Sequence, residues 1–175
     1  MLITRKFIMT CIMSSAMLAG TSICSADLAH DLQNQATEAK LELGLLLKRG
    51  VPSAAIDVHV NDKVIQLAGF VDNKEQYLNV KSAAAKYEGK YKIMNDVIIL
   101  ASVEDSGDDD RLVGDIKKQL RTYQYPLESI DVQVRRGHVI LSGFVNKSVS
   151  LNKIKSVTLL VRGATVVDNN ILYKS

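Results

Sequence analysis

The sequence predicts an α+β protein: two tandem α-β-β-α-β domains behind a signal peptide, each a three-stranded mixed sheet packed on two helices. Three observations carry this. The N-terminus has the make-up of an export signal. The remainder repeats itself at a constant offset of 74 residues. Within each copy the apolar spacing alternates between the helical and the strand period. The expected boundaries are 1–26 for the signal, 27–100 for the first domain, 101–110 for an acidic linker and 111–175 for the second domain.

Arg5 and Lys6 form a positive start, an apolar stretch runs from Phe7 to about Gly20, and Cys24-Ser25-Ala26 fits a small-x-small cleavage site. The stretch is too short for a comfortable membrane span, so a mature start at Asp27 is expected. Cleavage there removes both cysteines, Cys11 and Cys24, which excludes thiol and disulfide chemistry and suits an oxidising compartment. Cys24 also offers lipid attachment to an outer membrane, although Ile23 is a poor residue before such a cysteine. No second long apolar run exists, so the mature chain is expected to be soluble or peripheral.

The repeat is read directly. Ile56-Asp57-Val58-His59-Val60 returns as Ile130-Asp131-Val132-Gln133-Val134, and Leu67-Ala68-Gly69-Phe70-Val71 returns as Leu141-Ser142-Gly143-Phe144-Val145. Pro52 matches Pro126, Gly89 matches Gly163, and Asn95 matches Asn169. One gapless offset over this span marks a duplication. The run Glu104 to Asp110 is acidic and free of large apolar residues, so it reads as a solvated linker rather than a calcium loop, which needs spaced oxygens ending in a Glu.

In the first copy, Leu28, Leu32, Ala36, Ala39, Leu43 and Leu47 recur at helical spacing and predict one apolar, core-facing helix side, stopped by Gly50 and Pro52. Ile56, Val58 and Val60 alternate with Asp57 and His59 in a half-buried strand, and Asn61-Asp62-Lys63 turns the chain into a second strand through Ile65, Leu67 and Val71. Gly69 and Gly143 mark backbone bends or close packing in their strands. Asp72 or Asn73 caps a helix through Tyr77, Val80, Ala84 and Tyr87, Gly89 ends it, and Ile93 to Leu100 is the last strand. The second copy has a helix through Leu112, Val113, Ile116 and Leu120, and a hairpin at Arg135-Arg136-Gly137. A second helix runs through Leu151, Ile154, Val157 and Val161, ended by Gly163, and a final strand covers about Thr165 to Tyr173.

The whole chain carries 22 basic and 19 acidic residues, a net charge of +3, too small for bulk nucleic-acid binding. Removing the signal leaves 20 against 19. That near-neutral total hides an asymmetry. Residues 38–100 hold nine basic and eight acidic side chains, the linker holds five acids and no base, and residues 111–175 hold eleven basic and four acidic, a net +7. A domain of that charge is suited to an anionic surface, where each Lys or Arg contributes about 1 kcal/mol. The candidate contacts are Arg135 and Arg136 at the hairpin and Lys147, Lys153, Lys155 and Arg162 on or near the second helix.

Catalytic chemistry finds no foothold. His30, His59 and His138 have no Cys or carboxylate at metal-ligand spacing, no serine sits in a Gly-x-Ser-x-Gly setting, and no phosphate-cradling glycine loop occurs. A nucleic-acid-binding KH module would need a Gly-x-x-Gly loop, which is absent. No enzyme activity, metal or other cofactor is expected.

Gly137-His138-Val139-Ile140-Leu141-Ser142-Gly143-Phe144-Val145, a polar helix start, and Gly163-Ala164-Thr165-Val166-Val167-Asp168-Asn169-Asn170-Ile171 together resemble the BON domain. The first copy matches with Lys63 to Val71 and Gly89 to Val97, with Lys63 where the hairpin glycine stands. The tandem arrangement resembles dual-BON periplasmic proteins and outer-membrane lipoproteins of Gram-negative bacteria. The resemblance implies an α-β-β-α-β fold, a periplasmic location and non-enzymatic work in envelope integrity under osmotic stress, through binding of anionic phospholipid mainly by the second domain. The alternative is a scaffold that engages envelope proteins through exposed sheet edges.

Overall fold

The structure, a computed structural model, describes residues 25–47, 51, 55–101 and 107–174. The signal segment up to residue 24 with Cys24, the helix-stop residues Gly50 and Pro52, and half of the linker, residues 102–106, lie outside these residues.

The first unit runs α1 (Ser25–Leu46), β1 (Ile56–Asn61), β2 (Val64–Val71), α2 (Lys74–Ala85) and β3 (Lys92–Ile99). The second runs α3 (Asp108–Thr122), a short 3₁₀ turn (Leu127–Ser129), β4 (Ile130–Arg135), β5 (His138–Val145), α4 (Leu151–Leu159), β6 (Val166–Asn169) and β7 (Leu172–Tyr173). Each central strand pairs antiparallel with the strand before it and parallel with the strand after the helix crossover. Ile56 stands opposite Gly69 and Ile130 opposite Gly143, so both hairpins keep the register that the 74-residue offset requires.

The expected final strand of the second unit is broken. β6 and β7 both pair with β5, on either side of residues 170–171. Asn169 Oδ1 accepts from the Ile171 amide, but Asn95 makes the same contact with the Val97 amide in the unbroken β3; what is particular to the second unit is Gln66 of the other unit, which donates to the Asn170 carbonyl and accepts from the Gly143 amide. α3 opens at Asp108, so the last three linker acids form its first turn, where the helix dipole favours them.

The two glycines in the central strands are required by their surroundings. At Gly143, with φ +120°, a Cβ would overlap the Ser129 carbonyl; at Gly69, with φ +141°, it would overlap the Ala55 carbonyl. Gly89 and Gly163 also take positive φ, each in the turn after its helix. Asn73 caps α2, its side chain accepting from the Gln76 amide at 3.0 Å.

α1 departs from the sequence expectation. The side of the helix against the sheet carries Asn34, Thr37, Leu41 and Leu45, all buried, while Leu28, Leu32, Ala36, Ala39, Leu43 and Leu47 face outward. At 100° per residue the two rows lie on opposite sides of the helix. Two polar contacts fix the rotation. Thr37 Oγ1 lies 3.2 Å from the Tyr91 hydroxyl and holds that phenol below its ordinary pKa, and Glu38 Oε1 accepts from the Val60 amide on the edge strand β1 at 2.6 Å. The duplication supports the same rotation. Thr37, Leu41 and Leu45 occupy the places of Leu112, Ile116 and Leu120 in α3, an offset of 75, so the copies differ by one residue before the proline.

Each sheet has two covered faces. One packs under its helices: Ile65, Leu67 and Val71 with Leu41, Leu45 and Val80 in the first unit, Val139, Leu141 and Val145 with Ile116, Leu120 and Ile154 in the second. Alternate residues Ala68, Phe70 and Ile140 form a third cluster between the two sheets. This explains why β2 and β5 are buried along nearly their whole length.

Candidate functional site

The contact between the units is built as an approximate two-fold pair. Gln133 Nε2 donates to Asp57 Oδ2 at 2.6 Å, and His59 Nε2, at the place of Gln133 in the other copy, lies 3.3 Å from Asp131 Oδ2. Asp57 and Asp131 are themselves a repeat pair, so each unit offers the same carboxylate to the other. His59 Nε2 also lies 3.3 Å from Ser142 Oγ.

Gln66 breaks the symmetry. It is fully buried, and its repeat partner is Ile140. Its Nε2 donates to Asp96 Oδ2 at 2.9 Å and to the Asn170 carbonyl, while its Oε1 accepts from the Gly143 amide at 3.1 Å. Two of these three bonds cross to the second unit, where they satisfy the buried Gly143 amide and the half-buried Asn170 carbonyl.

Arg135 belongs to this contact rather than to an outward surface, which corrects the sequence expectation. Its Nη1 donates to Asp72 Oδ1 at 3.1 Å and to the Leu100 carbonyl, and its guanidinium lies 5.4 Å from the centre of the Phe70 ring. An arginine held by a carboxylate, a carbonyl and an aromatic face is not available to a ligand in solvent. His138 packs edge-on to the same ring, its Nε2 2.7 Å from Asp168 Oδ2.

The remaining candidates stay exposed. Arg136 sits at the tip of a two-residue hairpin with φ 56°, beside Gly137 at φ 73°, and Asp109 of α3 accepts from both of their amides. Lys147 lies in the loop between β5 and α4, Lys153 and Lys155 lie on α4, and Arg162 follows it. On α4 the two lysines flank an outward strip made of Asn152, Ser156, Leu159 and Leu160. Leu160 is 72% exposed and Leu159 46%. Arg162 joins the apolar end of that strip. α3 packs beside α4 and adds Lys118 and Arg121, both exposed. Because the sheet face is occupied by the first unit, this helical layer is the face the second domain turns outward.

Sequence reasoning missed Lys118, Arg121 and the two leucines, although the leucines sit off the buried row Ile154–Val157–Thr158 and were visible as such. It also missed the contact between units. The signal for that was the absence of charge on either face of β2 and β5. Among the described residues, no group of three or more His, Cys, Asp or Glu side chains is placed to hold a metal ion, and no helix is long and apolar enough to cross a membrane.

Comparison with known proteins decides the family. The model of the BON domain matches residues 33–101 and again 108–175. The chain belongs to the BON domain family. It is 25% identical over 148 residues to osmotically-inducible protein Y of Escherichia coli (strain K12), covering 82% of this chain and 74% of that protein. Among solved structures it is similar to two of CdsD, a structural protein of the type III secretion system of Chlamydia trachomatis. One, of the C-terminal domain, is 13% identical with TM-score 0.35, covering 88% of this chain and 80% of that one. The other is 14% identical with TM-score 0.34, covering 87% and 75%. The two BON units are thus the α1–β3 and α3–β7 halves described above.

Proposed function

We propose that this tandem BON protein is a non-enzymatic envelope-maintenance protein of the periplasm, active under osmotic stress, that binds anionic phospholipid surfaces through its second domain. The similarity to osmotically-inducible protein Y supports the stress and envelope part of this reading. The observation that carries the lipid part is the outward end of α4. Leu159 and Leu160 are exposed there, flanked by Lys153, Lys155 and Arg162, on a domain whose residues 108–175 carry a net +4. Apolar side chains can enter the headgroup boundary while the cations remain at the phosphates. Arg136, Lys147, Lys118 and Arg121 extend the cationic layer, and Arg135 takes no part.

Pairing of partner strands on sheet edges is the alternative. It meets an obstacle at β1, where Glu38 already accepts from the Val60 amide.

Co-sedimentation with vesicles tests the lipid reading. Replacing Lys153→Glu and Lys155→Glu removes about 2 kcal/mol of attraction, so affinity for anionic vesicles falls at least roughly thirtyfold, and added salt weakens the wild type. Equal binding to neutral and anionic vesicles, or unchanged binding of the variant, refutes it.

A further inference from the structure

The outward row of α1 has no role in the core of its own unit or in lipid binding by α4. Leu28, Leu32, Leu43, Leu46 and Leu47 are each more than half exposed, and Ala29, Ala36 and Ala39 are exposed between them. The fold does not ask for this. With the offset of 75 that relates the first helices of the two units, Ala36, Leu43 and Leu46 take the places of Arg111, Lys118 and Arg121 in α3, all exposed and charged. The same helix face is cationic in one copy and apolar in the other. On α1 it forms a patch of roughly 500 Å², near the upper end of what a monomer leaves in water.

The spacing of the row says what shape covers it. Ala29, Leu32, Ala36, Ala39, Leu43 and Leu46 follow one another at steps of three, four, three, four and three residues. That is the alternation of a coiled-coil seam. The side chains that the unit buries, Asn34, Thr37, Leu41 and Leu45, lie on the opposite side of the helix, so the seam points away from the sheet. The row also reads nearly the same in both directions about a midpoint between Thr37 and Glu38. Reversed, Leu32 falls on Leu43, Ala36 on Ala39, Ala29 on Leu46 and Leu28 on Leu47. A contact between two identical surfaces across a two-fold axis needs this self-complementarity.

We propose that the outward row of α1 is a homodimer interface, on which α1 of a second copy of this chain packs antiparallel. Leu32 meets Leu43 of the second copy, the Ala36 and Ala39 pairs let the helices approach closely at the centre, and small Ala29 faces large Leu46 at each end. Two such patches bury about 1,000 Å² in all, the least that a specific interface needs. The residues bordering the seam agree with this occupant. They are Gln33, Gln35, Lys40 and Glu42, and the antiparallel pairing sets Lys40 beside Gln33 and Glu42 beside Gln35, so no charge meets its own kind. One Lys and one Glu give a strongly basic or strongly acidic partner helix nothing to hold. A membrane is disfavoured too: α1 carries four acids, Asp27, Asp31, Glu38 and Glu42, against Lys40 alone, whereas helices lying on anionic lipid are rich in Lys and Arg on the polar face.

The test is sedimentation equilibrium of the mature chain from Asp27. The chain is expected to form a dimer that dissociates on dilution. Leu32→Ser with Leu43→Ser, both at exposed positions, is expected to raise the dissociation constant at least about a hundredfold, with an unchanged circular dichroism spectrum. Direction is read by cross-linking, since the chain from Asp27 has no cysteine of its own. Under oxidation, Leu32→Cys chains mixed with Leu43→Cys chains are expected to link to one another and neither to itself, because two copies of position 32 lie about 16 Å apart along an antiparallel pair. A wild-type chain that stays monomeric up to about 0.1 mM overturns the proposal, as does a dimer that the serine variant leaves intact. Self-linking of the Leu32→Cys chain makes the pair parallel and overturns it as well. A monomer whose serine variant loses binding to anionic vesicles assigns the row to membrane, with the same result. Lys153 and Lys155 lie outside the seam, so Lys153→Glu with Lys155→Glu leaves the dimer intact, and failure of the lipid reading is distinguishable from failure of this one.

Discussion

Replacing Gln66→Leu tests the contact between the BON units at its most buried polar point. Leucine has nearly the volume of glutamine and the hydrophobicity that Ile140 brings at the matching place, so no large cavity forms. What is lost is polar. The Gly143 amide loses its Gln66 acceptor in a buried place. Such an orphaned group costs about 1–3 kcal/mol. Asp96 and Asn170 are only half-buried and rehydrate, so their lost bonds add little. The cost is thus about 1–3 kcal/mol against the contact, with little direct effect on either helix-facing core. For one cooperative unit of about 150 residues that lowers the melting temperature by roughly 2–12 °C. If the contact is what couples the domains, calorimetry of the variant resolves two transitions where the wild type shows one. A variant that melts as a single transition within about 1 °C of wild type refutes the reasoning, since a closed contact cannot absorb a buried orphan amide without cost.

Arg135→Ala is expected to destabilise by about 2–4 kcal/mol in chemical denaturation, because Asp72 and the Leu100 carbonyl lose a charged donor and Phe70 loses its cover, while vesicle binding stays at the wild-type level. Gly143→Ala, read by circular dichroism, should cost about 3 kcal/mol or more, through overlap with the Ser129 carbonyl and an unfavourable φ. Asp109→Ala releases the amides of Arg136 and Gly137 and is expected to cost about 1–2 kcal/mol, with faster amide exchange at the β4–β5 turn.

The sequence reading recovered the parts of the fold that repeat. Strand pairs such as Ile56 with Gly69 and Ile130 with Gly143 followed from period-two patterning and a constant offset, because one-residue slips would turn every buried side chain outward. It failed on α1 because counting leucines assumes that the most apolar side is the buried one. Here Tyr91 needs a hydroxyl partner and the Val60 amide needs an acceptor, and Thr37 and Glu38 on the less apolar side supply them. The one-residue change of offset between α1 and α3 was in the sequence and would have shown this. Of the candidate site, Lys153, Lys155 and Arg162 stay exposed to solvent. Arg135 does not, because a side chain on a hairpin is called exposed only until a second sheet is known to cover that face.

The duplication also explains where the two copies differ. Positions that face the helices stay apolar in both, as at Ile65 and Val139, Leu67 and Leu141, or Val71 and Val145. Several positions at the contact between units differ in chemistry: Gln66 against Ile140, His59 against Gln133, Asn61 against Arg135. Two identical units meeting across a two-fold must use one residue for both sides of every contact. Joining them in one chain lifts that restriction. Gln66 can then be matched to an amide on one partner without a second glutamine competing for the same buried space. The resulting contact favours pairing of unlike halves over pairing of like ones, since two first domains would bring two Gln66 side chains together and two second domains would bring none.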